Sequence, residues 1–463
     1  MPNRNITRRS NLRIIPETAK GAFWLSFCAF FVGTMFIILV IIPVKKIPYT
    51  FGKTHDGYIQ LADNLRQGNG YVFEKGGPPV FHRAPMYPLL LVPVTFFPEY
   101  LRRPVLVLIQ SLMAGVIGEL IFKIGKHLFG RRTAIMAVFI FILNPWVYFD
   151  IKNPLTTITQ GLLYILFAAL VGSEFLFMLG RDSTATSTTK LWLRRLAIGV
   201  AGAALALTHG ITLAVTTVLL LIFFIFAVIR RNGRAIKTSI TAAITMVILI
   251  VPWTYRNWVV FGRFIPIAGG GGLVYFNGNT HWKGIMPEPQ REGESYIDAS
   301  LRVAGIEGTE ETLTHWKGFK DIKLEDKMNA KMMEDLRAHP GAFAKKVLLN
   351  AVEYYFPALT YPFLATDFYK GLRTHKLTIT IYHLALWVLA LMGSLPNKRE
   401  NISWVEPVLM FAAVALYAIW YLPFATFIGH CLYAFGTIPF LSILAARGLI
   451  SIIKVTGLTF QGL

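Results

Sequence analysis

The chain has 463 residues, of which 54% are hydrophobic and only 15% charged, far below the roughly 25% charge of an average soluble protein. Its formal net charge of +21 is concentrated at the ends of apolar blocks, a pattern that fits positive-inside loops and anionic lipid headgroups rather than nucleic acid. Two cysteines, Cys28 and Cys431, both in or beside predicted spans, exclude a disulfide framework and a CxxC metal site.

Gly21 to Val44 carry no charged residue, a stretch longer than the ~20 residues a bilayer core requires. It is too long for a signal-peptide core and lacks a small-residue cleavage site, so it reads as a retained first span. Arg4, Arg8, Arg9 and Arg13 precede it and place the N-terminus in the cytoplasm. Residues 45–85 then form a polar external loop. Residues 86–98 are apolar but contain Pro88, Pro93 and Pro98, which suits a dipping half-span buried against protein. Further spans are expected at 104–122, 133–150, 158–179, 196–210, 211–229, 238–254, 377–394, 405–423 and 432–453. The links KIGKHLFGRR, RDSTATSTTKLWLRR, RRNGRAIK and PNKREN are all basic. They fall together on the inside only if 86–98 does not cross. The expected fold is therefore an all-α polytopic membrane protein of about ten transmembrane helices, with a helical first external loop and a larger external segment. In that segment IKLEDKMNAKMMEDLRAHP has helical composition ending at Pro340, and AFAKKVLLNAVEYYF resembles an interfacial amphipathic helix.

Several chemistries lack their motif. The sequence holds no GxxxxGK[ST] phosphate loop, no HExxH zinc pair, no GxSxG elbow and no DxD motif. Gly269 to Gly272 suit either an anion cradle or a flexible turn after a span. The first loop is more informative. Tyr58, Leu61, Ala62 and Leu65 recur at helical spacing, and Gly68-Asn69-Gly70 ends the run. Asp56 precedes that helix, either as its N-cap or as a general base at a membrane-edge cavity. His82, Arg83 and Tyr87 lie in HRAPMYP, where the chain returns to the membrane. Arg83 suits a lipid phosphate in a pocket or a headgroup anchor. Asp150 and Lys152 stand at the end of a span, where they can pair with each other. His209 falls at a break between spans, as a packed or capping residue. Arg256 stands just outside a span, where snorkelling is the default.

The loop resembles the first external loop of the GT-C superfamily of polyprenyl-phosphate-sugar-dependent glycosyltransferases, which includes protein mannosyltransferases and aminoarabinose transferases. The family pattern is an acidic residue, Y-x-x-L-A, L-x-x-G-x-G-Y and R-x-P-x-Y-P-L-L. It is similar to Asp56, Tyr58, Leu61-Ala62, Leu65, Gly68, Gly70-Tyr71 and Arg83 to Leu90. LFGRRTAIMAVFIFILNPW, PWTYRNWVVFGRFIPIAGGGGLVYFNGN and RAHPGAF are similar to further family blocks. The resemblance spans roughly residues 20–450 and implies a GT-C-like bundle. It divides the chain into an N-terminal catalytic module at 1–254 including loop 45–85, an external and interfacial segment at 255–376, and C-terminal transmembrane helices at 377–463. Two departures stand out. The acidic residue that many relatives carry after the Asn-Pro is replaced here by NPLTTITQ, with Thr157 and Gln160, and a basic residue of the last external loop is replaced by GHCLY, with His430.

The resemblance implies an inverting transfer of a sugar from a polyprenyl-phosphate donor to a hydroxyl acceptor (lipid, glycan or protein) on the non-cytoplasmic face of a multi-pass protein of a bacterial inner membrane. Asp56 would take the acceptor proton. Arg83 would steady the leaving phosphate, with Tyr58, His82, Tyr87, Lys152, Arg256 and His430 as further contacts. No cofactor is implied beyond a possible divalent metal, which some relatives use. Partners would be the lipid-linked donor, the acceptor and membrane lipids. The alternatives are a transporter or lipid flippase, or a non-catalytic subunit of an envelope glycan assembly complex.

Overall fold

The computed structural model describes residues 18–44, 57–180, 187–280, 291, 294, 296–306, 322–363, 373–396, 404–422 and 434–456. Among them every regular element is a helix. Helix α1 (Ala19–Val44) opens with the Thr18 hydroxyl accepting from Gly21 N–H, which satisfies one of the orphan donors of a helix start. Helix α2 (Tyr58–Arg66) is the first-loop helix, and α3 (Met86–Thr95) follows the loop. With 10 residues, α3 is about 15 Å long, half of a bilayer's hydrocarbon thickness. The bundle then continues as α4 (Glu99–Phe129), α5 (Arg131–Ile142), α6 (Pro145–Ile151), α7 (Thr157–Met178), α8 (Thr188–Thr208), α9 (Thr212–Ile229) and α10 (Gly233–Phe261). Among the described residues eight helices are long and apolar enough to cross a membrane, or nine if α5 and α6 count as one bent span. The chain is a multi-pass integral membrane protein.

Several spans differ from their sequence-based bounds, among them α8, which starts at Thr188 rather than 196. The stretch expected at 133–150 is broken, with α5 and α6 bent by 59°. Pro145 has no N–H to continue a helix, and the Asn144 side chain accepts from Trp146 N–H, starting a new one. Helix α4 has 31 residues and α10 has 29, each longer than its apolar window, because helices continue past the hydrocarbon where composition turns polar.

The external segment contributes α11 (Gly271–Thr280), α12 (Tyr296–Val303), α13 (Ile322–Ala338) and α14 (Pro340–Tyr355). Phe81, Leu273, Tyr275, Phe276, Leu301, Leu324 and Met328 form an apolar cluster of their own there. Helix α14 is amphipathic as expected, but with its polar stripe inward. Lys346, Asn350 and Glu353 are buried while Leu348 is exposed. Lys346 Nζ donates to Asn279 Oδ1 (2.6 Å), Asn350 Nδ2 donates to Leu422 O (2.6 Å), and Glu353 pairs with Lys376 (2.9 Å). The remaining helices are α15 (Arg373–Ser394), α16 (Val405–Tyr421) and α17 (Ala434–Lys454). Gly393 of α15 and Gly448 of α17 meet backbone to backbone; a Cβ at either would overlap the carbonyl of Leu444 or Leu389, the close approach that small residues allow between membrane helices.

The described basic residues Arg194, Arg234 and Arg447 lie at one end of the bundle. Glu174, fully buried in α7, is gripped there by Arg194 of α8 (3.0 Å) and Arg234 of α10 (3.1 Å). Arg447 of α17 donates to Leu395 O (2.6 Å) and stacks over Phe129. The first loop lies at the other end.

Candidate functional site

The first loop is a folded strap. Helix α2 forms because Tyr58, Leu61 and Ala62 share one face, and all three are buried. Gly57, in the left-handed region at φ 70°, takes the cap position that the sequence offered to Asp56. Asp56 itself lies outside the described residues, as does His430. Asn64 is buried; its Nδ2 donates to Phe73 O (3.0 Å) and folds the loop back on the helix. Arg102 of α4 donates to Asp63 Oδ2 (3.2 Å) and anchors α2 to the bundle.

The strap positions Arg83. The Tyr71 hydroxyl donates to Arg83 O (3.2 Å) and Ala84 O (3.0 Å). Burial pushes the Tyr71 hydroxyl well above its ordinary pKa, more than Arg83 and Arg256 lower it, so it stays a donor. The Arg83 guanidinium lies over the Tyr58 ring at 5.5 Å, a cation–π contact. Tyr58 in turn meets the edge of Tyr87 at 5.1 Å between ring centres. His209, in the break between α8 and α9, senses the same guanidinium: burial and then Arg83 hold its imidazole down to about 4. It is neutral at physiological pH, and its ring also faces Tyr421 at 5.7 Å.

Tyr87 links the strap to the α6–α7 turn. Its hydroxyl donates to Gln110 Oε1 (3.4 Å), and Gln110 Nε2 donates to Ile151 O (3.0 Å) and Asn153 O (2.8 Å). Lys152 stands between those two carbonyls in sequence, with its ammonium 4.4 Å from the Phe149 ring centre. Burial, and then the Arg103 charge, hold that ammonium down to about 8. The expected Asp150–Lys152 pair is not formed. Asp150 is fully buried, with the Thr157 hydroxyl beside its carboxylate. Residues two apart at a helix end do not face each other, so nearness in sequence need not make a pair.

Arg256 clamps the strap. Its Nη1 donates to Val80 O (3.1 Å) and Asn257 Oδ1 (2.9 Å), and its guanidinium lies over Trp253 at 4.9 Å. The snorkelling expected of it gives way to these contacts because the strap covers the end of α10. His82 is buried between Phe73 and Phe81, each 5.6 Å away between ring centres. Glu74, by contrast, is exposed on the strap's turn.

Thus Tyr58, Arg83, Tyr87, Lys152 and Arg256 lie at one end of the bundle, joined through Tyr71, Gln110 and His209. Of these joining residues Tyr71 stood in the pattern of the resemblance and His209 at the break between spans, whereas Gln110, a lone amide within an apolar span, was not singled out. Gln160, standing where relatives of the resemblance carry an acid, is fully buried; its Oε1 accepts from Tyr417 (3.1 Å) and Tyr421 (2.6 Å). The position serves helix packing here. Among the described residues no three His, Cys, Asp or Glu side chains converge to hold a metal ion. The exposed aromatics Phe96, Tyr100, Tyr255, Trp258 and Phe264 lie at the same end, the placement of an interfacial aromatic belt.

No protein-family model matches the chain, and no curated protein does. Among solved structures it is similar to the oligosaccharyltransferase AglB from Archaeoglobus fulgidus in complex with an inhibitory peptide and a dolichol-phosphate, at 13% identity and a TM-score of 0.49. That match covers 93% of this chain and 51% of the other, so the chain spans about half the length of that enzyme. It is also similar to ArnT from Cupriavidus metallidurans bound to undecaprenyl phosphate, at 14% identity and a TM-score of 0.38, over 92% of this chain and 79% of the other.

Proposed function

We propose that this chain is a membrane-embedded glycosyltransferase that moves a sugar from a polyprenyl-phosphate donor to a hydroxyl acceptor, at the membrane face opposite its basic links. By the positive-inside rule that face is the non-cytoplasmic one. The observation that carries the reading is the strap motif and its fold. The residues of the resemblance, Tyr58, Tyr71, Arg83 and Tyr87, form one hydrogen-bonded and ring-stacked unit that holds a guanidinium at the membrane edge. A lipid phosphate presented there meets Arg83, with Lys152 as a second cation. In the transfer, the acceptor oxygen attacks the anomeric carbon and the bond to the phosphate oxygen breaks on the opposite side, inverting the centre. Asp56 takes the acceptor proton, and the cations stabilise charge developing on the departing phosphate. A transporter would instead need ionisable groups at work within the spans; Glu174, fully buried, is held by two arginines.

The test is Asp56→Asn. With Gly57 at the helix cap, the amide preserves size and leaves the cap untouched. Transfer from a polyprenyl-phosphate sugar should fall ~10²–10⁴-fold, while polyprenyl-phosphate binding and thermal midpoint stay near wild type. Near-normal turnover would refute the assignment of Asp56 as base.

A further inference from the structure

We propose that Glu325 is a positioning residue for Arg83, acting through the Gly269–Gly272 turn; this rests on the reading of Arg83 as the donor-phosphate contact. The sequence offered that turn as an anion cradle. In the fold the cradle is filled by the chain's own carboxylate. Glu325 Oε1 accepts from Gly270 N–H (2.8 Å) and from Asn329 Nδ2 (3.1 Å), and the N–H groups of Gly271 and Gly272 also face it. Successive N–H groups of a glycine turn that opens a helix suit a carboxylate as they suit a phosphate. Gly270 has φ +103°, a conformation that a residue with a Cβ rarely adopts. At Gly272 a Cβ would come within 2.6 Å of the Met328 backbone, so turn and α13 are in direct contact.

The other side of the same turn holds the strap. Gly269 N–H donates to Phe81 O (3.0 Å), and a Cβ built on Gly270 would lie 3.5 Å from His82 Cβ. Phe81 shares the apolar cluster of Leu324 and Met328, which stand one residue before and one helical turn after Glu325 on α13. Arg83 follows two residues after Phe81. A continuous path therefore runs from Glu325 to the Gly270 amide, from Gly269 to the Phe81 carbonyl, and along the backbone to Arg83. Glu325 is buried, and burial raises its pKa against the pull of the amides. A buried acid is costly unless its hydrogen bonds are needed, and these bonds fix the segment that carries Arg83.

The experiment uses full-length protein in detergent micelles titrated with polyprenyl phosphate, comparing wild type, Arg83→Ala, Glu325→Ala, Glu325→Gln and the Arg83→Ala/Glu325→Ala double variant. Glu325→Ala should weaken binding ~10-fold, while Glu325→Gln, whose amide oxygen still accepts from Gly270 N–H, recovers most of it. On the Arg83→Ala background, Glu325→Ala should add nothing, because the two act on one contact. A purely structural role predicts additive losses and a matching fall in thermal midpoint. Hydrogen exchange at the 80–84 amides reads the path without any ligand. It should quicken in Glu325→Ala and stay slow in Glu325→Gln; unchanged exchange in Glu325→Ala overturns the proposal. If Glu325→Ala does not fold, Asn329→Ala, which removes the neighbouring donor, serves in its place. Binding that depends on Arg83 but not on Glu325 overturns this proposal alone. Wild-type protein that binds no polyprenyl phosphate overturns the functional reading and this one together.

Discussion

At the basic end of the bundle Arg194 and Arg234 meet a carboxylate; at the strap end Arg83, Lys152 and Arg256 lie over aromatic rings. Arg194 and Arg234 both close on Glu174. Arg83 lies over Tyr58, Lys152 over Phe149, and Arg256 over Trp253 while donating to Val80 O. The two arrangements do different physical work. A carboxylate neutralises a cation and locks three helices. An aromatic face or a carbonyl orients a cation without itself neutralising it. The first arrangement suits a structural joint and the second a site for phosphate.

That contrast can be broken most severely at Glu174. Glu174→Ala strands two arginines at a helix junction and should cost about 3–5 kcal/mol, read as a large fall in thermal midpoint in detergent. Polyprenyl-phosphate affinity of the protein that remains folded should not change, and a specific loss of affinity would contradict the division between the two ends. The mirror experiment is Arg83→Ala. It removes a charge-assisted contact worth about 1.5–3 kcal/mol, so donor affinity should fall roughly 10- to 100-fold, with little change in midpoint. A large loss of stability with affinity intact would make Arg83 a structural joint like Arg234.

Smaller effects sharpen the comparison. Lys152 is charged below about pH 8 and loses its proton above it. The phosphodiester of a lipid-linked sugar keeps its charge across that range. Donor binding should therefore weaken as pH rises through 8, and the step should vanish in Lys152→Arg, whose guanidinium stays charged. A pH profile flat from 7 to 9 in wild type would remove Lys152 from the site. The smallest effect is expected at His209. Its imidazole, held down to about 4, carries no charge at neutral pH, so His209→Gln should leave the shape of the binding profile above pH 5 unchanged. A step lost near pH 6 would show that the imidazole titrates in the site.

Much of this was legible from periodicity and charge. Helix α2 follows from the spacing of Tyr58, Leu61 and Ala62. The half-length of α3 follows from its prolines. The gathering of Arg194 and Arg234 at one end follows from their placement between apolar blocks. Each depends on residues close in sequence, where side-chain chemistry dictates local conformation. The bend at Pro145 was also written locally, but hydropathy averages over it.

What the sequence determined by itself is the kind of molecule: a multi-pass helical membrane protein with a folded first loop, because bilayer thickness and helix rise act on any apolar run regardless of its neighbours. What only the tertiary structure decided is which polar residues act together. Gln110 bridges Tyr87 to the turn bearing Lys152, Arg256 clamps Val80 from 176 positions away, and Glu325 fills the Gly270 cradle across 55. A buried donor or acceptor must find a partner wherever the fold supplies one. That partner is chosen by distance in space, which no local pattern in the chain encodes.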